Sequence, residues 1–518
     1  MSGFIRRDPD GAASEVFDLI VIGGGMQGIM LALEATRRRL RPLVLERADF
    51  AGATTDVGLR LLDRGLRELA AFEIGRATRA SGEHAWWGRN FPELVQPLPC
   101  VMPVHGPGGR HARALRRALA LDRMLGRLRP REQDDPAQPA ILPSEQVIEA
   151  WPTAARDGLT GGLAWTGSWA PAGPRLGIEA LRWACQQGAV ALNYVEVGAL
   201  VMDDGKVRGV DAVDHVGGER RRFRAPLVIA AAGPWTADLL GRSTVCMPPH
   251  FTAWNVLLER APASRTALAL DVPEMPEAPL FLLPLGERIL AGTAATREQA
   301  GGRPGPDAAR AFLGLINRAV PGLALGEADV VRMFAGRLPG AGSGLLTPLR
   351  RPAIVDAGRN GGPRGLFAVV GTGVTMTRAV ADRTLRLAAG AARALPLGDF
   401  ARPRRAFGVD DLAIRRWLRG QGLDLLRRIA VEESVVHLDD LILRRTPLGD
   451  RPVDAMTVGA EACRLLGHGD SRRRSELERL RRALAPPARR PPAWLRDAAR
   501  PATPGVSSLA CAAIMRLP

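Results

Sequence analysis

Gly23-x-Gly25-x-x-Gly28 lies near the start of the chain, and an acid, Glu46, follows 18 residues after its last glycine. Glycines at this spacing suit a backbone that must approach phosphate. The first permits a tight turn, the second admits the backbone to a pyrophosphate, and the third lets a helix pack closely on a strand. The positive N-terminus of that helix would then face the pyrophosphate charge. Glu46 would accept hydrogen bonds from adenosine ribose hydroxyls, and its own charge argues against a 2′-phosphate, hence against NADP. The triplet alone is a weak signal, and its context strengthens it. Phe17-Asp-Leu-Ile-Val-Ile22 reads as a buried parallel strand, a helical pattern runs from Ile29 to about Arg39, and Pro42-Leu-Val-Leu45 is the next strand, ending at Glu46.

Two further strand-to-glycine turns must stand beside this βαβ unit. Leu227–Ala232 runs into Gly233-Pro234, after a strand Val207–Val213 that follows the Asp203-Asp-Gly205 turn. Gly365–Val370 enters Gly371-Thr-Gly373, with a helix from about Thr375 to Ala391. A fingerprint at the extreme N-terminus, a late turn Ala230-Ala-Ala-Gly-Pro-Trp235 and a third C-terminal segment are features of flavoproteins that NAD dehydrogenases lack, so FAD is the expected coenzyme. The expected fold is α/β: a discontinuous Rossmann-type FAD domain (17–90, 185–245 and 346–400) and an α+β substrate-binding domain (91–184 and 246–345). Stretches at Trp254–Leu258, Leu280–Pro284 and Arg288–Gly292 predict an antiparallel sheet in the latter. A C-terminal helical domain (401–485) and a flexible, Pro/Arg/Ala-rich tail (486–518) complete the chain.

The 518 residues are 46% hydrophobic and 24% charged, ordinary globular proportions. No apolar run reaches the roughly 18 residues that read as a membrane-spanning helix, and no secretory signal precedes the first strand. Five scattered cysteines without a CxxC pair fit a reducing cytoplasm and argue against zinc or a disulfide framework. The net charge of +17 invites an anionic partner, yet Lys206 is the only lysine and Tyr194 the only tyrosine, a bias that points to coding composition. The basic stretches lack interleaved aromatics, so nucleic acid is not expected. Contact with an anionic membrane surface through the arginine-rich 471–500 region stays open, against the plainer reading of a solvated helix face.

Several motifs in order resemble the FAD-dependent glycerol-3-phosphate dehydrogenases, within the D-amino-acid-oxidase-like flavoproteins, over roughly residues 17–485. They are Asp49-Phe-Ala-Gly-Ala-Thr-Thr55 after the ribose acid, Gly65-Leu-Arg-Glu-Leu69, Gln96–Pro103, Ala231–Trp235, Ile289–Thr293, Gly336-Arg-Leu-Pro339 and, in the helical domain, Ala430–Glu433, Leu438–Leu441 and Arg444-Arg-Thr-Pro-Leu-Gly449. The resemblance implies that Thr54, Thr55, Gly233, Gly371, Gly373 and Thr375 join Gly23, Gly25, Gly28 and Glu46 around FAD. It also implies that Arg337 and Arg67 grip substrate, with Arg350 or Arg351 as a third match.

The departures are chemical. The family's Lys-Leu-Ile-His-Gly-Gly is Arg60-Leu-Leu-Asp63-Arg64-Gly65 here, its tyrosine after the shared arginine is Glu68, its strand histidine is Asn255, and the lysine of its Gly-Gly-Lys-Leu-Thr-Thr turn is Gly373. Flavin oxidation of an alcohol needs a base for the hydroxyl proton and a hydride path to the flavin. Asn255 cannot be that base; Asp63, Glu68 and His250 are the candidates, with Asp63 equally readable as a partner of Arg64 or Arg60. His84, beside Trp86 and Trp87, reads as packing, and no histidine spacing suggests a metal. The expected function is hydride transfer from a CH–OH, or CH–NH, group of a small substrate other than glycerol 3-phosphate to FAD, then to a quinone or to oxygen. Set against it are an FAD-binding scaffold without turnover, and glycerol-3-phosphate dehydrogenase proper at an anionic membrane.

Overall fold

The computed structural model describes residues 4–126, 139–240, 248–275, 278–297, 304–341, 348–371, 373–389 and 411–485. The tail expected at 486–518 lies outside them, as does Thr372.

Short, mostly apolar strands build the first sheet, in the order Ala353–Asp356, Leu366–Val370, Val228–Ala230, Leu19–Ile22, Pro42–Leu45, Val190–Leu192. All neighbours run parallel except the first pair. Both faces are covered, which explains why these strands lack alternation. Leu19, Val21, Val44 and Ile229 point to one side, into a core with Ile29, Leu33, Leu176, Leu181, Val380 and Leu385 from the helices Met26–Thr36, Gly173–Gln186 and Thr377–Ala389. Ile20, Ile22, Leu43, Leu45 and Val228 point to the other, against Val197, Val210, Ala212 and Phe223. Those last four belong to a separate antiparallel sheet, Val195–Asp203, Lys206–Asp214 and Arg220–Arg224. The strand read at 207–213 therefore lies in a covering layer, not in the parallel sheet.

Among the described residues the larger sheet has nine strands, including His250–Leu258, Leu280–Leu285, Arg288–Thr296 and Val330–Pro339, paired antiparallel as expected for the first three. One pair departs from this: Ala267–Leu270 runs parallel to Gln96–His105. At the far edge the two-residue strand Leu61–Leu62 joins Leu159–Trp169, so the chain crosses into this sheet well before residue 91. One face packs Trp254, Val256 and Trp151 against Phe312 and Ile316 of the helix Pro306–Ala319; the Trp254 and Phe312 rings lie edge to face at 4.9 Å. The other face, with Leu98, Leu257, Leu290 and Phe334, meets Val57 and Leu59 from the loop that leaves the parallel sheet.

Residues 411–485 form helices whose apolar core (Ile414, Trp417, Ile429, Leu441, Val458, Leu480) is made of this region's own side chains. The region is joined to the rest through charge. Arg175 and Arg182 meet Glu433, Arg60 takes Asp450 bidentately at 2.6 and 2.8 Å, and Arg444 and Arg445 reach Asp49. Ahead of the first strand, Ile5 also bridges to Glu433 of this region, while Asp10 of the helix Pro9–Ser14 pairs with Arg221 of the covering sheet.

Trp254→Ala would leave a cavity in the larger sheet's core, and a loss of about 3–5 kcal/mol is expected, read as a lower urea midpoint by far-ultraviolet circular dichroism.

Candidate active site

The carboxyl ends of the parallel strands converge on the helix Met26–Thr36. Gly23 has φ +108°, a left-handed value, and a side chain there would meet the Ala231 carbonyl at 2.7 Å. A Cβ at Gly28 would fall 1.9 Å from the Gly23 carbonyl oxygen, so the helix can lie this close only without one. Gly25 is the helix N-cap. Thr55 Oγ1 accepts from the Met26 N–H at 3.0 Å, while by helical geometry the N–H groups of Gln27 and Gly28 face the space beyond the helix end, where phosphate is best met.

Glu46 closes the second strand. Its carboxylate accepts from the Gly24 N–H (2.7 Å) and the Ala48 N–H (2.9 Å); burial raises its pKa against the pull of those donors. Gly233 (φ +55°) turns the chain after Val228–Ala230, and the Arg47 guanidinium lies 4.4 Å over the Trp235 ring nearby. Gly371 ends the strand Leu366–Val370 against Gln27, whose Oε1 would be 2.7 Å from a Cβ there. A glycine cradle, a helix N-terminus and a ribose-side acid thus lie together, a donor set fitted to an adenine dinucleotide.

On the larger sheet's side, Thr54 Oγ1 donates to the Arg337 carbonyl (3.2 Å), bringing the strand that carries Arg337 to this loop. Asn255 is buried with both polar ends engaged. Its Nδ2 donates to the Val57 carbonyl (2.6 Å) and its Oδ1 accepts from the Thr293 hydroxyl (2.9 Å). Through these two bonds it ties the loop at Val57 to the strand that carries Thr293. Asp63 is exposed. Its N–H donates to Thr375 Oγ1 (2.8 Å), and its Oδ1 accepts from the Gly65 N–H (2.8 Å). The expected pairing with Arg60 or Arg64 is not found, because Arg60 goes to Asp450 and Arg64 lies 3.8 Å from Asp122.

Thr375 also accepts from the Trp87 indole N–H through its carbonyl, so it ties the Asp63 loop to the late cofactor segment. Glu68 is buried, 3.5 Å from Arg67 and 3.7 Å from Arg76; Arg67 itself is half exposed. Gly373 is exposed, and a Cβ added there meets nothing within 4 Å. His84 is held neutral, its pKa lowered to about 4 by burial and by Arg64. A small cleft opens elsewhere, at the seam with the helical domain, lined by Asp56, Arg60, Arg332 and Asp450, charges that already pair with one another.

The family model described as "FAD dependent oxidoreductase" matches residues 18–387. The chain belongs to the FAD-dependent oxidoreductases. Within that family this flavoenzyme is of the glycerol-3-phosphate dehydrogenase and oxidase type. It is 30% identical over 503 residues to "Glycerol-3-phosphate dehydrogenase 1" of Mycobacterium bovis, covering 88% of this chain and 95% of that one. It is 27% identical over 340 residues to the "Alpha-glycerophosphate oxidase" of Streptococcus pyogenes serotype M3, covering 62% and 54%. Its fold is similar to the glycerol-3-phosphate dehydrogenase of Bacillus halodurans complexed with FAD, at a TM-score of 0.70 and 21% identity over 93% and 98% of the two chains. The glycine oxidase of Geobacillus kaustophilus is similar at a TM-score of 0.56 and 20% identity, over 75% and 99%.

Three residues of the flavoenzyme's site escaped the sequence reading. Gly24, wedged between Phe50 and Glu46, and Gln27, whose amide donates to the Thr377 carbonyl, lie inside or beside the fingerprint, whose variable positions carried no signal. Asp49 was visible only as part of a motif. Thr55→Val would remove the acceptor for the Met26 N–H, and we expect a loss of about 1 kcal/mol together with weaker FAD retention, measured by thermal melting with and without added FAD.

Proposed function

We propose that this flavoenzyme oxidises a CH–OH, or CH–NH, group of a small substrate other than glycerol 3-phosphate. The observation that carries the proposal is the open space at Gly373, where the resemblance places a phosphate-gripping lysine. Without that ammonium a phosphate dianion loses a charge-assisted partner at the reacting end. FAD, when bound, supplies the two-electron acceptor for the substrate hydride. Asp63, exposed and fixed by Thr375 and Gly65, takes the substrate proton. Arg337 and Arg67 hold the substrate's polar groups. Gly23, Gly25, Gly28 and Thr55 hold the pyrophosphate and Glu46 the ribose; Thr54, Gly233, Gly371 and Thr375 shape the cleft. On this reading 17–90, 185–245 and 346–400 serve the coenzyme, and 91–184 and 246–345, with Leu61–Leu62, serve the substrate.

The relatives' names favour a second reading, in which glycerol 3-phosphate itself is the substrate. Anaerobic mixing separates the two. Glycerol 3-phosphate should bleach the flavin poorly, and Gly373→Lys should improve its apparent affinity by about tenfold or more, the worth of one charge-assisted contact. Rapid bleaching of the unaltered enzyme by glycerol 3-phosphate would defeat the proposal. Asp63→Asn should slow flavin reduction by about 10²–10⁴-fold with the flavin still bound, measured by stopped-flow absorbance.

We further propose that the electron acceptor is a quinone reached from the cytoplasmic face of an anionic membrane. Among the described residues no helix is long and apolar enough to cross one. The support is a patch on three helices, Leu66–Ala70, Ile74–Asn90 and Arg110–Gly126, that pack together through Leu69, Ala77 and Ala118. Phe72 (62% exposed) and Ile74 (40%) project there, with Arg79, Arg113, Arg116 and Arg117 exposed on the same helices. The helix Asp470–Leu484 is a poorer candidate, since Arg481 and Arg482 are both paired with Glu478. Cosedimentation with anionic vesicles should weaken with salt and fall further in Phe72→Ser; no binding at low salt would refute the membrane contact.

A further inference from the structure

Asp49 lies three residues past the ribose-side acid and is almost wholly buried. Three side chains meet its carboxylate. Arg445 grips it bidentately, with the second contact to Oδ1 at 2.8 Å; Arg444 Nε donates to Oδ2; and Asn193 Nδ2 donates to Oδ1 at 3.2 Å. Burial alone would push this carboxyl up, but the two guanidinium groups hold it well below the usual range. Both arginines come from the helical domain, nearly 400 residues downstream. Arg445 is fully buried and also donates to the Glu433 carbonyl at 3.0 Å; Arg444 is held in turn by Asp440 at 2.6 Å.

The loop that Asp49 begins is what encloses the coenzyme cradle. The Ala51 N–H donates to the Gly24 carbonyl (2.9 Å), Phe50 packs on Gly24, and Thr55 caps the helix at Met26. Ala51 (φ +54°) and Ala53 (φ +51°) sit in the left-handed region, which residues with a Cβ occupy only where their surroundings force them. The ties to the cradle and to the substrate sheet restrain the loop's end, and the Asp49 ion pairs restrain its beginning.

We infer that Arg445, assisted by Arg444, is a positioning residue for FAD: through Asp49 it holds residues 49–55 against the helix N-terminus, so that docking of the helical domain sets coenzyme affinity. The inference rests on the coenzyme and not on the substrate proposed above.

The test compares FAD dissociation constants of the full-length protein by flavin fluorescence, with far-ultraviolet circular dichroism to confirm folding. Arg445→Met should weaken FAD at least about tenfold, or 1.4 kcal/mol. Asp49→Asn should act in the same direction, and the double variant should be no worse than the poorer single one, because both changes remove one contact. Arg479→Gln, which loses partners in Asp439 and Tyr194 but does not touch Asp49, should leave affinity unchanged. A folded Arg445→Met with undiminished affinity overturns the inference, as does equal weakening by Arg479→Gln. Should Arg445→Met not fold, the unaltered protein still decides. Coupling is reciprocal, so FAD must slow amide hydrogen exchange across 438–449, and exchange unaffected by FAD refutes the coupling.

Discussion

A buried carboxylate must be answered by cations, and Asp49 is answered from the opposite end of the chain. Removing one partner of such a pair leaves an uncompensated charge in the interior, typically a loss of 3–5 kcal/mol, whereas well-packed apolar replacements of the whole pair can be neutral. Its importance therefore lies in geometry more than in net stability. The Arg444–Arg445 pair fixes where the loop after Glu46 begins, that loop fixes Thr55 at the dinucleotide helix, and Val57 beyond it is fixed to the substrate sheet by Asn255. Three regions of the chain meet along one stretch of about ten residues.

The helical domain's attachment has the same character. Its apolar core closes on itself, and guanidinium–carboxylate contacts dominate its seam: Arg175 with Glu433, Arg60 with Asp450, Arg332 donating to the Gly449 carbonyl while stacking 4.4 Å from Phe334. Arginine suits this role because its planar fork meets a carboxylate with two parallel bonds and tolerates burial better than an ammonium. The arginine bias that looked compositional is in part structural, with Arg38, Arg175, Arg182, Arg332 and Arg445 all interior.

What the sequence disclosed was local. Leu19–Ile22 and Leu366–Val370 are apolar runs stopped by glycine, and such runs announce themselves without partners. The helix at Met26 begins three residues before its pattern was visible, because Gly25 and Gly28 interrupt the periodicity that marks a helix. Pairings over long separations were illegible. Nearness in sequence suggested Arg64 or Arg60 for Asp63, yet the fold carries Arg60 to Asp450 and Arg64 towards Asp122, and Asn255, which stands where the resemblance has a histidine, bonds Val57 and Thr293. The two-residue strand Leu61–Leu62 is too short to carry any alternation, so the early crossing into the larger sheet left no trace.

The parallel sheet draws its strands from residues 19–45, 190–192, 228–230 and 353–370. A ribosome delivers the first of these some two hundred residues before its hydrogen-bonding neighbour Val228–Ala230. Leu366–Val370, on the next position out, comes later still, and the arginines that seat the loop come last. Until Val228–Ala230 emerges, the strand Leu19–Ile22 has an unpaired edge, so the nascent protein is exposed to mispairing throughout that interval. Chains truncated before Arg444 would be expected to lack a finished nucleotide cleft.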